Sequence, residues 1–289
     1  MTAHAPSGPL LRVHDLRTYF DEDERVVRAV DGVSFELRRG ETLGIVGESG
    51  SGKSVTSLSI MRLIPSPPGR IVSGEIVLDG ENLLSMPAGE IRAIGGRRVA
   101  MIFQDPMTSL NPFLRISAQL AEVTRLHLGY SARQALDHAV HMLELVGIPD
   151  AARRVRDYPH QFSGGMRQRV MIAIALACQP PLVIADEPTT ALDVTIQAEV
   201  LDLLRELKAR FRLSLLLITH DFGVIAEMAD RVAVMHQGRL VEQGAVREIL
   251  RSPSHDYTRS LLAAVPGMRG TPGTPSLSDR THGSTGIVP

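Results

Sequence analysis

The sequence predicts an α/β fold built on a mostly parallel sheet. Short apolar runs such as Thr42–Val46 and Leu182–Asp186 are typical of strands that are buried on both faces. Helical stretches separate these runs, and strands that alternate with helices favour a parallel sheet covered on both sides. A glycine-rich loop at Gly47–Ser54 joins the first buried strand directly to a predicted helix. The loop therefore lies at the sheet edge where ligands bind in such folds.

The other elements follow from the same hydrophobic periodicity. Val33, Phe35 and Leu37 alternate with polar residues, which predicts a half-exposed strand, and similar strands are expected within 11–37 and 74–79. Further strands are predicted at Val99–Phe103, Leu215–Thr219 and Val232–Met235. Helices are predicted near Lys53–Leu63, Ala132–Val146, Ile196–Arg210 and Phe222–Met228.

The chain divides into a core, an insertion and two polar ends. Residues 11–104 and 179–250 are predicted to form the core, and residues 105–178, where the pattern turns helical, an inserted subdomain. The first ten residues are small, polar and interrupted by Pro and Gly, so we expect 1–10 to be disordered. Of the last 24 residues, 16 are Gly, Pro, Ser or Thr, which predicts a flexible tail over 267–289.

Composition excludes several classes of protein. The 31 basic and 32 acidic residues leave a formal net charge of −1, so we expect no nucleic-acid partner, which a basic excess would indicate. The single cysteine, Cys178, excludes an internal disulfide and is typical of a reducing compartment; we expect it to be buried. No apolar run approaches the roughly 20 residues of a membrane-spanning helix, and no signal peptide is evident. We therefore expect a soluble, cytosolic chain.

The glycine-rich loop matches the pattern G-x-x-x-x-G-K-[ST] between a buried strand and a helix. Glycines let backbone N–H groups close around phosphate oxygens, and the start of the helix adds the positive end of its dipole. Lys53 is expected to reach the β- and γ-phosphates of a nucleotide, and Ser54 to ligate Mg²⁺. The predicted nucleotide-binding residues are Gly47, Glu48, Ser49, Gly50, Ser51, Gly52, Lys53 and Ser54.

Four further side chains are expected beside this loop because they follow buried strands. Asp186 and Glu187 end one predicted strand, which places Asp186 near Mg²⁺ and Glu187 where it would polarise an attacking water as general base. Gln104 and His220 each follow another strand. A lone glutamine or histidine is more often structural than catalytic. A catalytic role is favoured here because both strands must neighbour the phosphate loop.

A phosphate-binding loop does not define a function, because many enzyme classes share it. A GTPase would need an N-K-x-D element, yet the chain's two asparagines, Asn82 and Asn111, are followed by Leu and Pro. A small-molecule kinase would leave the segment Phe162–Arg169 unexplained. That segment, Phe-Ser-Gly-Gly-Met-Arg-Gln-Arg, places a hydroxyl and free backbone N–H groups at a helix start, as a second phosphate cradle.

The segment Phe162–Arg169 resembles the signature motif of the ABC transporter ATPases, in which a serine and two glycines open a helix. The resemblance covers residues 10–265 and implies a P-loop NTPase cassette. Such a cassette has a RecA-like core sheet, an antiparallel N-terminal β subdomain and an inserted helical subdomain. Two subunits of this family pair head to tail, so the resemblance assigns Ser163, Gly164 and Gly165 to the nucleotide of a second ATPase subunit.

The same resemblance implies roles for further residues, with ATP and Mg²⁺ as cofactors. Gln104 falls at the Q-loop, as metal ligand and catalytic residue, and His220 at the catalytic switch histidine. Asp193 falls in the D-loop, Ala191–Asp193, where it would couple the two ATP sites. Phe20 is the candidate for the aromatic residue that stacks on adenine, and a buried strand aromatic is an equal alternative.

Parts of the chain are similar to one branch of the family, the oligopeptide and dipeptide importer ATPases. These parts are Gly44–Ser54, Phe103–Pro112 and Ala185–Asp193. Residues 251–266 also resemble the C-terminal His-Pro-Tyr element of that branch, except that Asp256 takes the middle position. Some relatives hold an iron–sulfur centre in a cysteine cluster of a longer C-terminal extension. Because this chain has no cysteine after Cys178, we expect no iron–sulfur cluster.

The resemblance implies a peptide importer subunit on the cytoplasmic face of the cell membrane. Its partners would be a second ATPase, two transmembrane permease subunits and an extracytoplasmic solute-binding protein. Met107–Phe113 and the helices after it would receive the permease. Nickel and glutathione importers use very similar ATPases, so the cargo stays open. A distant alternative is a soluble ABC ATPase acting on nucleic acid or ribosomes, which would usually carry long coiled-coil insertions, a second cassette or basic regions.

Overall fold

The computed structural model describes residues 8–22, 25–190 and 192–264. Its strands are β1 Leu11–Glu22, β2 Arg25–Leu37, β3 Thr42–Val46, β4 Gly69–Leu78, β5 Glu81–Asn82, β6 Val99–Ile102, β7 Leu182–Asp186, β8 Ser214–Thr219, β9 Arg231–His236 and β10 Arg239–Ala245. Its helices are α1 Lys53–Ile60, α2 Ala88–Ile94, α3 Pro106–Ser109, α4 Ile116–Leu128, α5 Ala132–Leu145, α6 Ala151–Arg154, α7 Gly164–Leu176, α8 Val194–Phe211, α9 Phe222–Met228, α10 Val246–Arg251 and α11 Asp256–Ala263. Among these described helices, none combines the length and apolarity needed to cross a bilayer.

The core is a six-stranded sheet in the order β10-β9-β3-β8-β7-β6. Strands β9 to β6 in this order run parallel, and β10 pairs antiparallel with β9. The predicted mostly parallel sheet is therefore confirmed. In the register, Val46 lies opposite Thr219, and Asp186 lies opposite Ile218. The carboxyl ends of β3, β7 and β8 thus meet at one edge of the sheet.

The central strands are buried on both faces, as their continuous apolar composition predicts. Along β7, Leu182 and Ile184 pack into one hydrophobic cluster, whereas Val183 and Ala185 pack into another. The first cluster joins the core sheet to the N-terminal sheet, and the second joins it to the inserted helices. Full burial of an aliphatic side chain contributes about 1.5–3 kcal/mol. These two layers fix the register of the sheet that carries the loop.

A second, four-stranded sheet in the order β2-β1-β4-β5 is antiparallel throughout, which confirms the antiparallel N-terminal subdomain. Order extends to residues just before its first strand. We expected residues 1–10 to be disordered, and residues 1–7 lie outside the described residues. Leu10, however, is buried, and its amide donates to the carbonyl of Leu37 at 2.9 Å. The expectation of disorder is thus wrong at Leu10, because an aliphatic side chain completes the core between the two sheets.

The helices α3 to α7 form the predicted insertion and pack over one face of the core sheet. The predicted start of α5 is confirmed, because Ser131 is its N-cap and forms a capping box with Gln134. Cys178, expected to be buried, is only half-buried. Its Sγ lies 3.8 Å from the carbonyl oxygen of Val123, and burial raises the pKa of its thiol.

Helix α1 is shorter than its sequence pattern predicts and ends at Ile60 rather than at Leu63. Arg62 adopts the left-handed conformation with φ +53°, and the amide of Leu63 donates to the carbonyl of Leu58 at 2.8 Å. This closure ends the helix before the run of prolines that begins at Pro65.

The chain after β10 folds back onto the core beside the phosphate loop. Glu242 accepts hydrogen bonds from the amide and hydroxyl of Ser254, both at 2.7 Å, and from the amide of His255 at 3.1 Å. The ring of Tyr257 on α11 lies 3.8 Å, centroid to centroid, from that of His236. The described residues of the C-terminal segment 251–266 are therefore docked. Residues 265–266 and the expected tail 267–289 lie outside the described residues.

Glu242 holds this segment as an ionised carboxylate. Burial alone would raise the pKa of Glu242, but the hydroxyl of Thr258 and the hydrogen bonds from Ser254 and His255 together outweigh it and lower the pKa to about 2. A carboxylate that accepts several N–H and O–H donors is stabilised in its charged form. The docking of α11 thus depends on a charge at Glu242.

Replacing Glu242 with Gln is expected to lower the free energy of unfolding at neutral pH by about 1 kcal/mol, because it weakens charge-assisted hydrogen bonds. A lowered folded-state pKa stabilises the protein above the ordinary carboxyl pKa of 4.5, and this contribution is lost as the pH falls toward about 2. Urea unfolding from roughly pH 7 to pH 3 should therefore show the difference in unfolding free energy between variant and native chain narrowing below about pH 4.5. Glu206→Gln, at an exposed position of α8, is the control. An equal loss in the control, or a difference independent of pH, would contradict the assignment.

Candidate nucleotide site

A cavity of about 580 Å³ opens at the carboxyl ends of β3 and β8. It gathers most of the residues that the sequence predicted for a nucleotide site, which are Gly47, Glu48, Ser49, Gly50, Gly52, Lys53, Ser54, Gln104, Glu187 and His220. Three lining residues, Ala29, Val55 and Leu261, were not predicted. The cavity is thus built from segments that lie far apart in the chain and meet at one sheet edge.

The phosphate loop is closed by its own lysine. The ammonium of Lys53 donates to the carbonyl oxygens of Gly47 at 2.8 Å and Glu48 at 2.7 Å, and the residue is 4% exposed. Burial lowers the pKa of Lys53, while the carboxylates of Glu187 and Asp186 oppose that shift. An ammonium held on the carbonyl oxygens of the loop, at the start of α1, suits the negative charge of a phosphate chain.

Ser51 belongs to the phosphate loop but is absent from the described residues that line the cavity. It is buried, and its carbonyl accepts a hydrogen bond from the amide of Gly238 at 2.9 Å. The turn after β9 thereby anchors the phosphate loop. Direct contact of Ser51 with nucleotide stays a prediction.

Gly52 has a conformation that only glycine adopts without strain. Its φ is +105°, and a Cβ at this position would lie 2.1 Å from the carbonyl oxygen of Ala29. The backbone of β2 thus packs directly against the end of the loop. Gly50 also has a positive φ, +78°, but no atom lies within 4 Å of the position of its Cβ.

The oxygens that Mg²⁺ would need are placed beside Lys53. The hydroxyl of Ser54 donates to Asp186 Oδ1 at 3.0 Å, and that of Ser57 to Asp186 Oδ2 at 3.4 Å. Burial raises the pKa of Asp186, and the hydrogen bond from Ser54 opposes this shift. A hydroxyl and a carboxylate at this spacing fit the hard-oxygen preference of Mg²⁺, and a cation would offset the cost of burying the carboxylate.

Glu187 is held by three side chains at the mouth of the cavity. Its Oε2 accepts hydrogen bonds from Gln104 Nε2 at 3.1 Å and from Thr190 Oγ1 at 2.8 Å, and its Oε1 lies 3.3 Å from His220 Nδ1. Glu187 has φ +46°, and its amide donates to the carbonyl of Ile218 at 2.8 Å. A non-glycine residue with this conformation is strained, and such strain is concentrated at functional sites. Three predicted catalytic residues thus come together.

Phe20 lies apart from this group. It is absent from the described lining of the cavity, and its ring packs close to Gly69, on β4 beside it. Its neighbour Tyr19 donates to Asp31 Oδ1 at 2.8 Å. The adenine-stacking role of Phe20 stays a prediction.

The residues predicted to form a second phosphate cradle lie outside the described lining of the cavity. Ser163 is exposed and is the N-cap of α7, where its Oγ accepts from the amide of Met166 at 3.3 Å. Asp193 is exposed in the same way as the N-cap of α8, where it accepts from the amide of Ile196 at 3.0 Å. A Cβ on Gly165 would lie 2.7 Å from Ile196 Cγ2, so the two helix starts are close neighbours. Gly164 is exposed beside Ser163, whereas Ala191 of the expected D-loop lies outside the described residues.

Sequence reasoning missed three polar residues of the site. Ser57 lies three residues after Ser54 on α1, a spacing that places both hydroxyls on one helix face. Thr190 likewise lies three residues after Glu187, where a turn brings their side chains together. No local signal predicts Tyr257, whose hydroxyl accepts a hydrogen bond from the amide of Glu48 at 3.3 Å across the fold.

The fold and the cavity define a P-loop ATPase with a cassette architecture. The model of the ABC transporter family matches residues 30–190, and the chain belongs to that family. It is similar to a probable peptide ABC transporter ATP-binding protein of Sinorhizobium fredii, with 52% identity over 93% of this chain and 80% of the relative. It is also similar to oligopeptide transport ATP-binding proteins of Bacillus subtilis, with 52% identity over 92% of this chain and 76% of the relative, and of Salmonella typhimurium, with 51% over 91% and 78%.

Solved structures agree with the family. A dimeric post-hydrolysis state of the ATP-binding cassette MJ0796, bound to ADP and Pi, has a TM-score of 0.72 and 26% identity over 82% of this chain and 99% of that chain. The predicted fold, family and ATPase activity are thereby confirmed. The roles of individual residues stay predictions.

Replacing Gly52 with Ala is expected to destabilise the chain by more than about 2 kcal/mol, because the new methyl group would collide with backbone at an unfavourable φ. Binding of a fluorescent ATP analogue should be lost with it. Gly50→Ala is the matched control, because it also places a side chain on a residue with positive φ but meets no neighbouring atom. It should lower the free energy of unfolding by only about 1 kcal/mol. Urea unfolding measures both variants. Similar losses for the two would show that the contact with Ala29 does not shape the loop.

Proposed function

We propose that this chain is the ATP-hydrolysing subunit of a peptide importer and that it drives a separate membrane permease from the cytoplasmic face of the cell membrane. The hydrolytic part rests on one observation, the convergence of Glu187, Gln104 and His220 beside the phosphate loop. The peptide part is supported by relatives that are named for peptide or oligopeptide transport and are 51–52% identical to this chain over the aligned residues.

The chemistry would proceed with ATP held in the loop. Backbone N–H groups and the ammonium of Lys53 would bind the phosphates, and Ser54 and Asp186 would hold Mg²⁺, which supplies charge stabilisation when bound. Water would attack the γ-phosphorus, and the bond from that phosphorus to the bridging oxygen would break to leave ADP. Glu187 would accept the proton of the attacking water. His220, beside Glu187 Oε1 at the mouth of the cavity, would contact the γ-phosphate as the switch histidine.

A second ATPase subunit would complete the site. Ser163 and Gly164 are exposed and lie outside the described lining of the cavity, although they form a helix start suited to phosphate. The arrangement is explained if they bind the nucleotide of a second, similar subunit placed head to tail. Asp193, exposed beside them, would lie in the same interface.

The permease would dock on apolar side chains close to Gln104. Met107 is 61% exposed and Phe113 87% exposed, on and just after α3. Exposed apolar clusters of this kind mark interaction sites. Arg167 of α7 contacts Met107 Sδ, so this surface touches the helix that Ser163 begins. We also expect a solute-binding protein outside the membrane to deliver the cargo.

Glu187→Gln is expected to retain binding of Mg-ATP and to lower turnover by about 10²–10⁴-fold, because it removes the general base but keeps the side-chain shape. Phosphate release and binding of a fluorescent ATP analogue measure the two effects. Glu199→Gln, on the exposed side of α8, is the charge-matched control. Turnover near that of the native chain would show that another residue is the general base, and His220 is the next candidate.

Purification of the tagged chain from native membranes in mild detergent tests the transporter assignment. Two polytopic membrane proteins and a second cassette ATPase are expected to accompany it, and an associated binding protein can be screened for peptide, nickel or glutathione. Recovery in the soluble fraction with ribosomes or nucleic acid would overturn the importer assignment.

We also propose that no iron–sulfur cluster is present, because this chain has one cysteine. A stoichiometric iron content in the purified chain would contradict this proposal.

A further inference from the structure

Thr190 makes the shortest of the three contacts to the carboxylate of Glu187. Its hydroxyl donates to Glu187 Oε2 at 2.8 Å, whereas Gln104 Nε2 lies 3.1 Å from the same oxygen. His220 Nδ1 lies 3.3 Å from Oε1 on the other side. Hydrogen bonds to a charged acceptor are stronger and more directional than those between neutral groups. Thr190 is therefore placed to set the direction in which the carboxylate points.

Thr190 differs from the other two partners in its relation to the cavity. Gln104 and His220 line the cavity, so a bound nucleotide and its metal would compete for their polar atoms. Thr190 is not among the described residues that line it, and its side chain is half-buried. A ligand in the cavity would thus compete for two partners of Glu187 and leave the third in place.

The turn that carries Thr190 is itself fixed. The amide of Thr190 donates to the carbonyl of Glu187 at 3.2 Å, and Thr189 between them is 7% exposed. The amide of Glu187 is bonded to β8 through Ile218. Both ends of the contact between hydroxyl and carboxylate are therefore attached to rigid backbone, which limits how far the carboxylate can rotate.

We propose that Thr190 is a positioning residue, which holds the Glu187 carboxylate toward the attacking water once ATP and its metal engage Gln104. The proposal rests on the role of Glu187 as general base put forward above. Misplacement of a reacting group by about 1 Å costs up to 10²-fold in rate. The effect of Thr190 should therefore be in the chemical step, with little in nucleotide binding, because Thr190 is not among the described residues that line the cavity.

Thr190→Val removes the hydroxyl and keeps the shape, and Thr190→Ser keeps the hydroxyl and removes a methyl group. In the full chain with Mg-ATP, kcat of Thr190→Val is expected to fall about tenfold with KM for ATP within about twofold of the native value. Thr190→Ser should keep kcat within about threefold. If Thr190→Val does not fold by its thermal transition, Thr190→Ala provides the same loss of the hydroxyl.

A double variant separates action through Glu187 from a general effect on the turn. In a Glu187→Gln background, Thr190→Val should lower kcat no further, because residues that act as a unit are not additive. Several outcomes would overturn the proposal. They are a kcat of Thr190→Val within about twofold of native, an equal fall in Thr190→Ser, a rise in KM that accounts for the loss, and additive losses in the double variant. Failure of the general-base role is distinct, because it would appear as full turnover in Glu187→Gln alone.

Discussion

Parallel pairing of β3, β7 and β8 is the constraint on which the site depends. Because Val46 lies opposite Thr219 and Asp186 lies opposite Ile218, the residues that follow these strands converge at one edge. A slip of one residue would turn every side chain of a strand to the opposite face. Close packing opposes such a slip, because each face packs into its own hydrophobic cluster and a shifted side chain would meet neighbours of the wrong size. The hydrophobic core thus sets the distances between charged groups.

The sequence predicted those parts of the fold whose signals are local. Strand β7 and helix α9 have the bounds that their apolar patterns indicate, and Glu187 and His220 were found because they follow buried strands. Strand β10 was missed, since its residues are mostly half-buried or exposed and show no apolar run. The contact of Tyr257 with the phosphate loop was missed because it depends on tertiary packing between segments 209 residues apart. Local patterns thus predict elements and catalytic groups, whereas docking between elements needs the structure.

The inserted helices connect an exposed apolar surface to the second phosphate cradle. Arg167 contacts Met107 on that surface, and its Nε also donates to the carbonyl of Pro159 at 2.8 Å, just before the start of α7. Ser163 is the N-cap of the same helix. A displacement of α3 would therefore be transmitted to the cap over a short, rigid path. This path would join the surface where we propose that the permease docks to the helix start that we propose binds a second nucleotide.

The hydrogen bond from the amide of Glu48 to the hydroxyl of Tyr257 connects the phosphate loop to the last described helix. A change in the conformation of the phosphate loop is therefore coupled to the position of α11. Leu261 extends this link, because it lines the same cavity from α11. Load applied to α11 would reach the phosphate loop through these two residues without passing through the sheet. Helix α11 is thus mechanically part of the nucleotide site.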